Sequence, residues 1–244
     1  MTAFSWDQRI ARAEKLAEEQ PGGAEMLRFY AAVARFQKVV YERLKASAGS
    51  VDPAVLAPDF LEFVHLIQRI GPSAIAGEAR ALERGNTSWE QLLAADVTHF
   101  FARALLQPYT ECLVSRNNIP SSHTEATRCP YCGEEPQAGV LRGEGDGAKR
   151  SLLCSMCSIE WPFRRLLCPG CGEESNDRLP VYTAAQFPHV RVEACDTCHV
   201  YIKSIDLTKN GLAVPCVDEI ATVPLDLWAE ENGYKKLKSN LLGM

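Results

Sequence analysis

The chain has 244 residues, 46% hydrophobic and 23% charged, a composition that folds rather than stays disordered. At about 1.6 times the ~150-residue norm for a domain it should form one or two domains. No apolar stretch approaches the ~18 residues of a membrane span before a charge interrupts it, and Met1 to Asp7 show no basic segment followed by an apolar one, so a cytoplasmic protein without membrane insertion is expected. The net charge is −5: residues 1–128 carry 14 basic and 15 acidic groups, and residues 129–244 carry 12 and 16. Nucleic-acid binding normally shows a basic surplus, and this balance argues against it.

The first 114 residues read as successive helices. Met26, Phe29, Val33, Phe36, Val40 and Leu44 advance by three or four residues and define one apolar helix face. Phe60, Phe63, Val64, Ile67 and Ile70 repeat the pattern until Gly71-Pro72 stops it. Ile75, Ala79 and Leu82 predict a shorter helix ending at Gly85-Asn86. Thr87 and Glu90 then offer a capping box for a long helix whose inward residues are Trp89, Leu92, Leu93, Val97, Phe100, Ala104 and Leu105, with a kink or end near Pro108. These aromatics read as bundle core. His65 and His99 have no partner at ligand spacing and receive no function.

Residues 115–128 turn polar and lose the apolar period, which predicts a linker. Beyond it, Val190 to Glu193 and Val200 to Lys203 alternate as strands do, and Gly143 to Gly147 reads as a loop tip. Helical spacing returns from Pro224 through Leu225, Leu227 and Trp228, with Gly233 as a stop signal.

All ten cysteines lie in the second half or just before it, from Cys112 to Cys216, and eight of them form four Cys-x-x-Cys pairs. Without an export signal, metal ligation accounts for them better than disulfides. Such a turn sets two thiolates on one side of a knuckle, and two knuckles complete a tetrahedron. Cys129-Pro-Tyr-Cys132-Gly-Glu-Glu is followed by the plain pair Cys154/Cys157, with 21 residues between Cys132 and Cys154; Cys168-Pro-Gly-Cys171-Gly-Glu-Glu is followed by the plain pair Cys195/Cys198, with 23 residues between Cys171 and Cys195. This is a duplicated unit. Each repeat should therefore close its own site: Cys129, Cys132, Cys154 and Cys157 form the first, Cys168, Cys171, Cys195 and Cys198 the second. Interleaved pairing is the alternative.

Four thiolates leave no open coordination position, which suits structural zinc or a single rubredoxin-like iron and does not suit hydrolysis. Cys112 reads as a small buried hydrophobe, and Cys216 as a residue able to approach the metal region.

The knuckles, with Ser158-Ile159-Glu160-Trp161, Arg165, Tyr201-Ile202-Lys203 and an ending of Leu225-Asp226-Leu227 and Asn232-Gly233-Tyr234, resemble the FdhE-type formate dehydrogenase accessory proteins over roughly residues 125–240. The resemblance implies an α+β chain: an all-helical domain at 1–114, a linker at 115–128, rubredoxin-like (zinc-ribbon-like) modules at 129–164 and 165–223, and a short C-terminal helix and tail at 224–244. It also implies a cytoplasmic maturation factor rather than an enzyme, carrying two tetrahedral metal ions, iron or zinc, each bound by four cysteines. Its partner would be the catalytic subunit of a respiratory molybdenum-dependent formate dehydrogenase before export. Glu160, Trp161, Arg164, Arg165, Tyr201 and Lys203 are candidates to face that partner, the alternative being packing around the knuckles. A rubredoxin-like electron carrier and a zinc-ribbon adaptor are the competing functions.

Overall fold

The computed structural model describes residues 4–47, 52–116, 126–145 and 147–244. Among the described residues six α-helices come first: α1 (Trp6–Glu19), α2 (Ala24–Ala46), α3 (Ala57–Ile70), α4 (Ser73–Arg84), α5 (Trp89–Ala95) and α6 (Phe100–Arg116). The apolar faces read from the sequence meet where α2, α3, α5 and α6 pack, around Val33, Phe63, Ile67, Trp89, Phe101 and Leu105.

Three local expectations are corrected. The capping box is formed by Ser88 and Gln91, one position later than expected. The amide of Thr87 is already bound to the Leu82 carbonyl (3.1 Å) in the turn that closes α4, and the helix that follows starts one residue too late for Thr87 to cap it. The expected single long helix is two helices. Asp96 Oδ1 accepts from the amide of Thr98 (2.7 Å), a side-chain turn that breaks the ladder, and Val97 is exposed rather than inward. Finally, of the kink or end expected near Pro108, the end does not occur: α6 runs through Pro108 to Arg116. A proline strips the carbonyl four residues earlier of its helical donor. Here that carbonyl, Ala104 O, accepts instead from Gln37 Nε2 of α2 (2.8 Å).

The second half is a mixed sheet of β1 (Pro136–Glu144), β2 (Gly147–Cys154), β3 (Glu160–Pro162), β4 (Val181–Thr183), β5 (Val190–Ala194), β6 (Val200–Asp206) and β7 (Lys235–Lys236), with α7 (Pro215–Ile220) and α8 (Val223–Glu231) before β7. Strand order is β3-β2-β1-β6-β5-β4, and β7 pairs with β6. Each repeat supplies three strands, β3-β2-β1 and β6-β5-β4. The two sets fuse edge to edge through a parallel β1 and β6, with Ala138 opposite Lys203 and Gly139 opposite Ser204. At that seam a side chain on Gly139 would collide with Ser204 Oγ and sit 3.1 Å from its Cβ. The two cysteine-bearing repeats therefore share one sheet.

One face of this sheet is covered by the helices. Leu16 and Leu27 of α1 and α2 pack with Val140, Val192, Ile205, Val217 and Leu225 in a second core, so α2 serves both cores. Of the expected linker, residues 117–125 lie outside the described residues, and so does Asp146 of the expected loop tip. Among the described residues no helix is long and apolar enough to cross a membrane.

Candidate metal centres

The first centre gathers Cys129, Cys132, Cys154 and Cys157, and the second Cys168, Cys171, Cys195 and Cys198; within each group all Sγ atoms lie within 4.8 Å of one another. Neighbouring sulfurs in the first are 3.5 Å (Cys129 to Cys157), 3.3 Å (Cys132 to Cys154) and 3.6 Å (Cys132 to Cys157) apart. In the second, Cys168 to Cys198 and Cys171 to Cys195 are each 3.7 Å. These separations exclude disulfides and match the edge of about 3.8 Å that a tetrahedron with metal–sulfur bonds of ~2.3 Å requires. Each group can hold one tetrahedral ion.

The four knuckles share a backbone device. The amides of Cys129, Cys154, Cys168 and Cys195 donate to the carbonyls of Glu134, Ile159, Glu173 and Val200, five residues on, at 2.8 to 3.0 Å. The residue after the second cysteine has positive φ in every case: Gly133 (76°), Ser158 (53°), Gly172 (78°) and His199 (56°). Glycine takes that conformation without cost, while Ser158 and His199 adopt it under restraint from their surroundings. Amides of Met156 and Cys157 point at Cys154 Sγ (3.4 Å each), and that of Gly170 at Cys168 Sγ (3.3 Å), as donors to thiolate should.

The sulfurs share charge unevenly. Hydrogen bonds from Cys132, Cys154 and Cys157 drive the Cys129 thiol far below its ordinary value, and the reciprocal bonds, first with Cys129, drive Cys157 far above it. Cys132 is lowered as well, its raising contact with Cys129 outweighed by Cys154 and Cys157, so lowered thiols sit beside neighbours whose protons a metal would displace. In the second centre burial pushes Cys168 and Cys198 up. At Cys195 burial, which alone would raise the thiol, is outweighed by the amides of Cys198 and Thr197, so this thiol is lowered.

The surroundings of the two centres differ. The first sits among Val114, Leu152, Trp161 and Phe163, and its second knuckle is tied to α6. Gln107 Nε2 and an Arg103 guanidinium nitrogen donate to Ser155 O (3.0 and 3.2 Å), and Ser158 Oγ donates to Glu111 Oε1 (2.7 Å). Glu111 in turn accepts from Arg9 of α1 (2.7 Å), while burial pushes its carboxyl up. The second centre has Cys171 exposed and Cys198 half-buried. Thr197 Oγ1 donates to Glu173 Oε2 (2.7 Å) across its knuckles, and Tyr234 Oη donates to Asp196 Oδ1 (2.6 Å).

Three of the six residues considered for a partner surface are interior, which corrects that reading. Trp161 is buried and donates through Nε1 to Ala126 O (2.7 Å). Tyr201 and Lys203 lie on the inward face of β6: Tyr201 Oη donates to Asp226 Oδ1 (2.8 Å), and Lys203 Nζ donates to Asp226 Oδ2 (2.6 Å) and Glu219 O (2.6 Å), with Glu219 Oε1 at 3.0 Å. Their task is to pin α7 and α8 to the sheet. Burial alone would raise the Glu219 carboxyl, but Lys203 and Lys236 outweigh it and hold it below the usual range. Of the other three, Glu160 pairs with Arg142 (2.8 Å), Arg164 pairs with Glu174 (2.7 Å), and exposed Arg165 reaches only toward Ala148 O (3.5 Å).

Cys112 is buried in α6 as expected. Cys216 packs instead into the helix-facing core, where Tyr30 Oη lies 3.9 Å from its sulfur. The Asp196 to Tyr234 contact, α7 and the buried Lys203 network were missed by the sequence reading. The alternation of β6 carries a signal for the last, since Lys203 shares parity with inward Tyr201 and Ile205.

Residues 128–165 match the FdhE central domain and residues 168–242 the FdhE C-terminal domain. An FdhE homologue from Aquifex aeolicus is 35% identical over 63% of this chain, and the matched stretch spans 55% of that protein's length. One from Stutzerimonas stutzeri is 29% identical over 96% of this chain and 88% of its own. The crystal structure of the FdhE protein from Pseudomonas aeruginosa superposes with a TM-score of 0.75 at 25% identity, covering 97% of this chain and 95% of that one. Both cysteine-bearing domains match FdhE domains and the helical half follows the fold of an FdhE protein, so the chain is similar to FdhE proteins along its length.

Proposed function

We propose that this chain is a non-catalytic accessory factor in the maturation of a respiratory molybdenum-dependent formate dehydrogenase, binding the enzyme's catalytic subunit in the cytoplasm before export. The observation that carries the reading is the pair of complete tetrathiolate clusters held in one sheet within the two FdhE domains. Each cluster offers four sulfurs to one ion, iron or zinc, and leaves it no open position for substrate, which supports a binding role over a catalytic one. We take residues 1–114 as a helical domain, 129–164 and 165–223 as the metal modules, and 224–244 as the tail that secures the second.

The test is an anaerobic pull-down of the tagged chain from its native cytoplasm, with partners identified by mass spectrometry. The expected result is recovery of a formate dehydrogenase catalytic subunit, lost when the cysteine pairs are changed to serine. Recovery of a reductase in its place would overturn the reading in favour of electron transfer, and recovery of ribosomal or polymerase subunits would overturn it in favour of an adaptor.

A further inference from the structure

The two centres share ligands and knuckle geometry but not access. Cys129, Cys154 and Cys157 of the first are buried, with Cys154 and Cys157 wholly shielded, and its second knuckle is hydrogen-bonded to α6 by three side chains. In the second, Cys168 and Cys195 are buried and Cys198 is half-buried, as Cys132 of the first is, and the difference lies at Cys171 and in what borders the site. Cys171 is exposed to solvent, and Cys168 and Cys195 border a cavity of about 120 Å³ that Arg150, Arg165 and Arg191 line against the single carboxylate Glu193. An anion entering this cavity meets three guanidinium groups, of which Arg150 and Arg191 are already paired with Glu193 (2.6 Å each), which leaves solvent-facing Arg165 as the one of the three without a carboxylate partner among the described residues.

We propose that the second centre is the exchangeable one, yielding its ion to an anionic chelating ligand through the arginine-lined cavity, while the first retains its ion. The inference rests on the two-metal reading above. Cys171, the exposed ligand, would leave first as a thiolate that keeps the electron pair of its bond to the ion, and a donor atom of the chelator would supply an electron pair in its place. No oxidation state changes. Outer-shell hydrogen bonds are worth about 10- to 100-fold in metal affinity, and the ties of the first centre to α6 set the difference expected between the two.

The experiment uses the full chain loaded with zinc and counted by native mass spectrometry. The protein is then challenged with EDTA while freed cysteines are trapped with N-ethylmaleimide and mapped. The expected result is loss of one ion about 10- to 100-fold faster than the other, with Cys168, Cys171, Cys195 and Cys198 labelled while the first four stay protected. Labelling of the first-centre cysteines together with these or before them would overturn the proposal. Arg165→Glu should slow the fast phase for EDTA, and an unchanged rate would overturn the part assigned to the cavity. Fewer than two ions before the challenge would refute the two-metal reading itself.

Discussion

Replacing Lys203 by methionine tests whether the Tyr201-Ile202-Lys203 segment is architecture or a partner contact. Lys203 is fully buried, 2.6 Å from Asp226 and 3.0 Å from Glu219. Two opposite charges about 3 Å apart attract by about 5 to 6 kcal/mol at an effective dielectric of ~20. Lys236 touches the same two carboxylates and offsets part of the loss. What remains is two buried carboxylates sharing one cation, and removing one partner of a buried pair typically costs about 3 to 5 kcal/mol. For a chain of this size the melting temperature should fall by roughly 6 to 20 °C at neutral pH. The assay is thermal unfolding of the zinc-loaded protein followed by circular dichroism. A shift of a degree or two would refute the reasoning, and with partner capture lost it would return Lys203 to the surface role the structure denies it. Lys203→Met combined with Asp226→Leu should recover part of the loss, because the second change removes one of the stranded charges.

Three other tests address different joints of the fold. The Asp218 carboxyl, which burial alone would raise, is held below its usual range by His189 and Arg12, and Glu219 is similarly depressed. The unfolded chain therefore binds more protons, so this stabilisation is complete above about pH 5 and disappears as pH falls through the lower folded values. Asp218→Asn should flatten the dependence of the urea midpoint on pH between about 5 and 3, and an unaltered slope would refute the assignment. Gly139→Ala should cost about 1 to 3 kcal/mol by prising β1 from β6, with partial rescue by Ser204→Gly; equal stability of wild type and Gly139→Ala in urea titration would contradict the close seam. Gln37→Ala should cost about 1 to 3 kcal/mol by orphaning the Ala104 carbonyl. In a Pro108→Ala background that cost should shrink, since the new amide at 108 can take over; a double-mutant cycle with no coupling would count against it.

The helical half was legible because apolar side chains at spacings of three and four must share a buried face, and residues such as Val33, Phe63 and Ile67 do so. The cysteine groups were legible because a duplicated spacing fixes which knuckles belong together. What escaped depends on contacts distant in sequence. A proline at 108 reads as a helix end until Gln37, on another helix, satisfies the freed carbonyl. The break after Ala95 is the local exception: it comes from one side-chain turn at Asp96, a residue type equally at home on a helix surface. The parallel joining of β1 to β6 has no local signature at all, because it depends on Gly139 and Ser204, far apart in sequence, leaving just enough room for each other.

That joining explains how one duplicated unit yields two unequal sites. If each repeat stood alone, the two centres would be equivalent, since their knuckles share the same amide bonds and the same positive φ. Fusing the repeats at one seam places the first against α6, which carries Arg103, Gln107, Glu111 and Val114 to it. The second is left to the C-terminal segment, whose Tyr234 holds the Cys195 knuckle at Asp196 and whose Asp226 and Glu219 are anchored by Lys203. Binding energy at the first centre is therefore coupled to the helical body. At the second it is coupled mainly to α7, α8 and β7. Loss of the second ion should loosen the tail that Tyr234 secures while leaving the helical core folded, so amide exchange in α8 and β7 should quicken before any change in α3 or α6. Simultaneous quickening across α3, α6 and α8 would mean that the sheet transmits the loss as one cooperative unit, and the difference in anchoring would then have no energetic consequence.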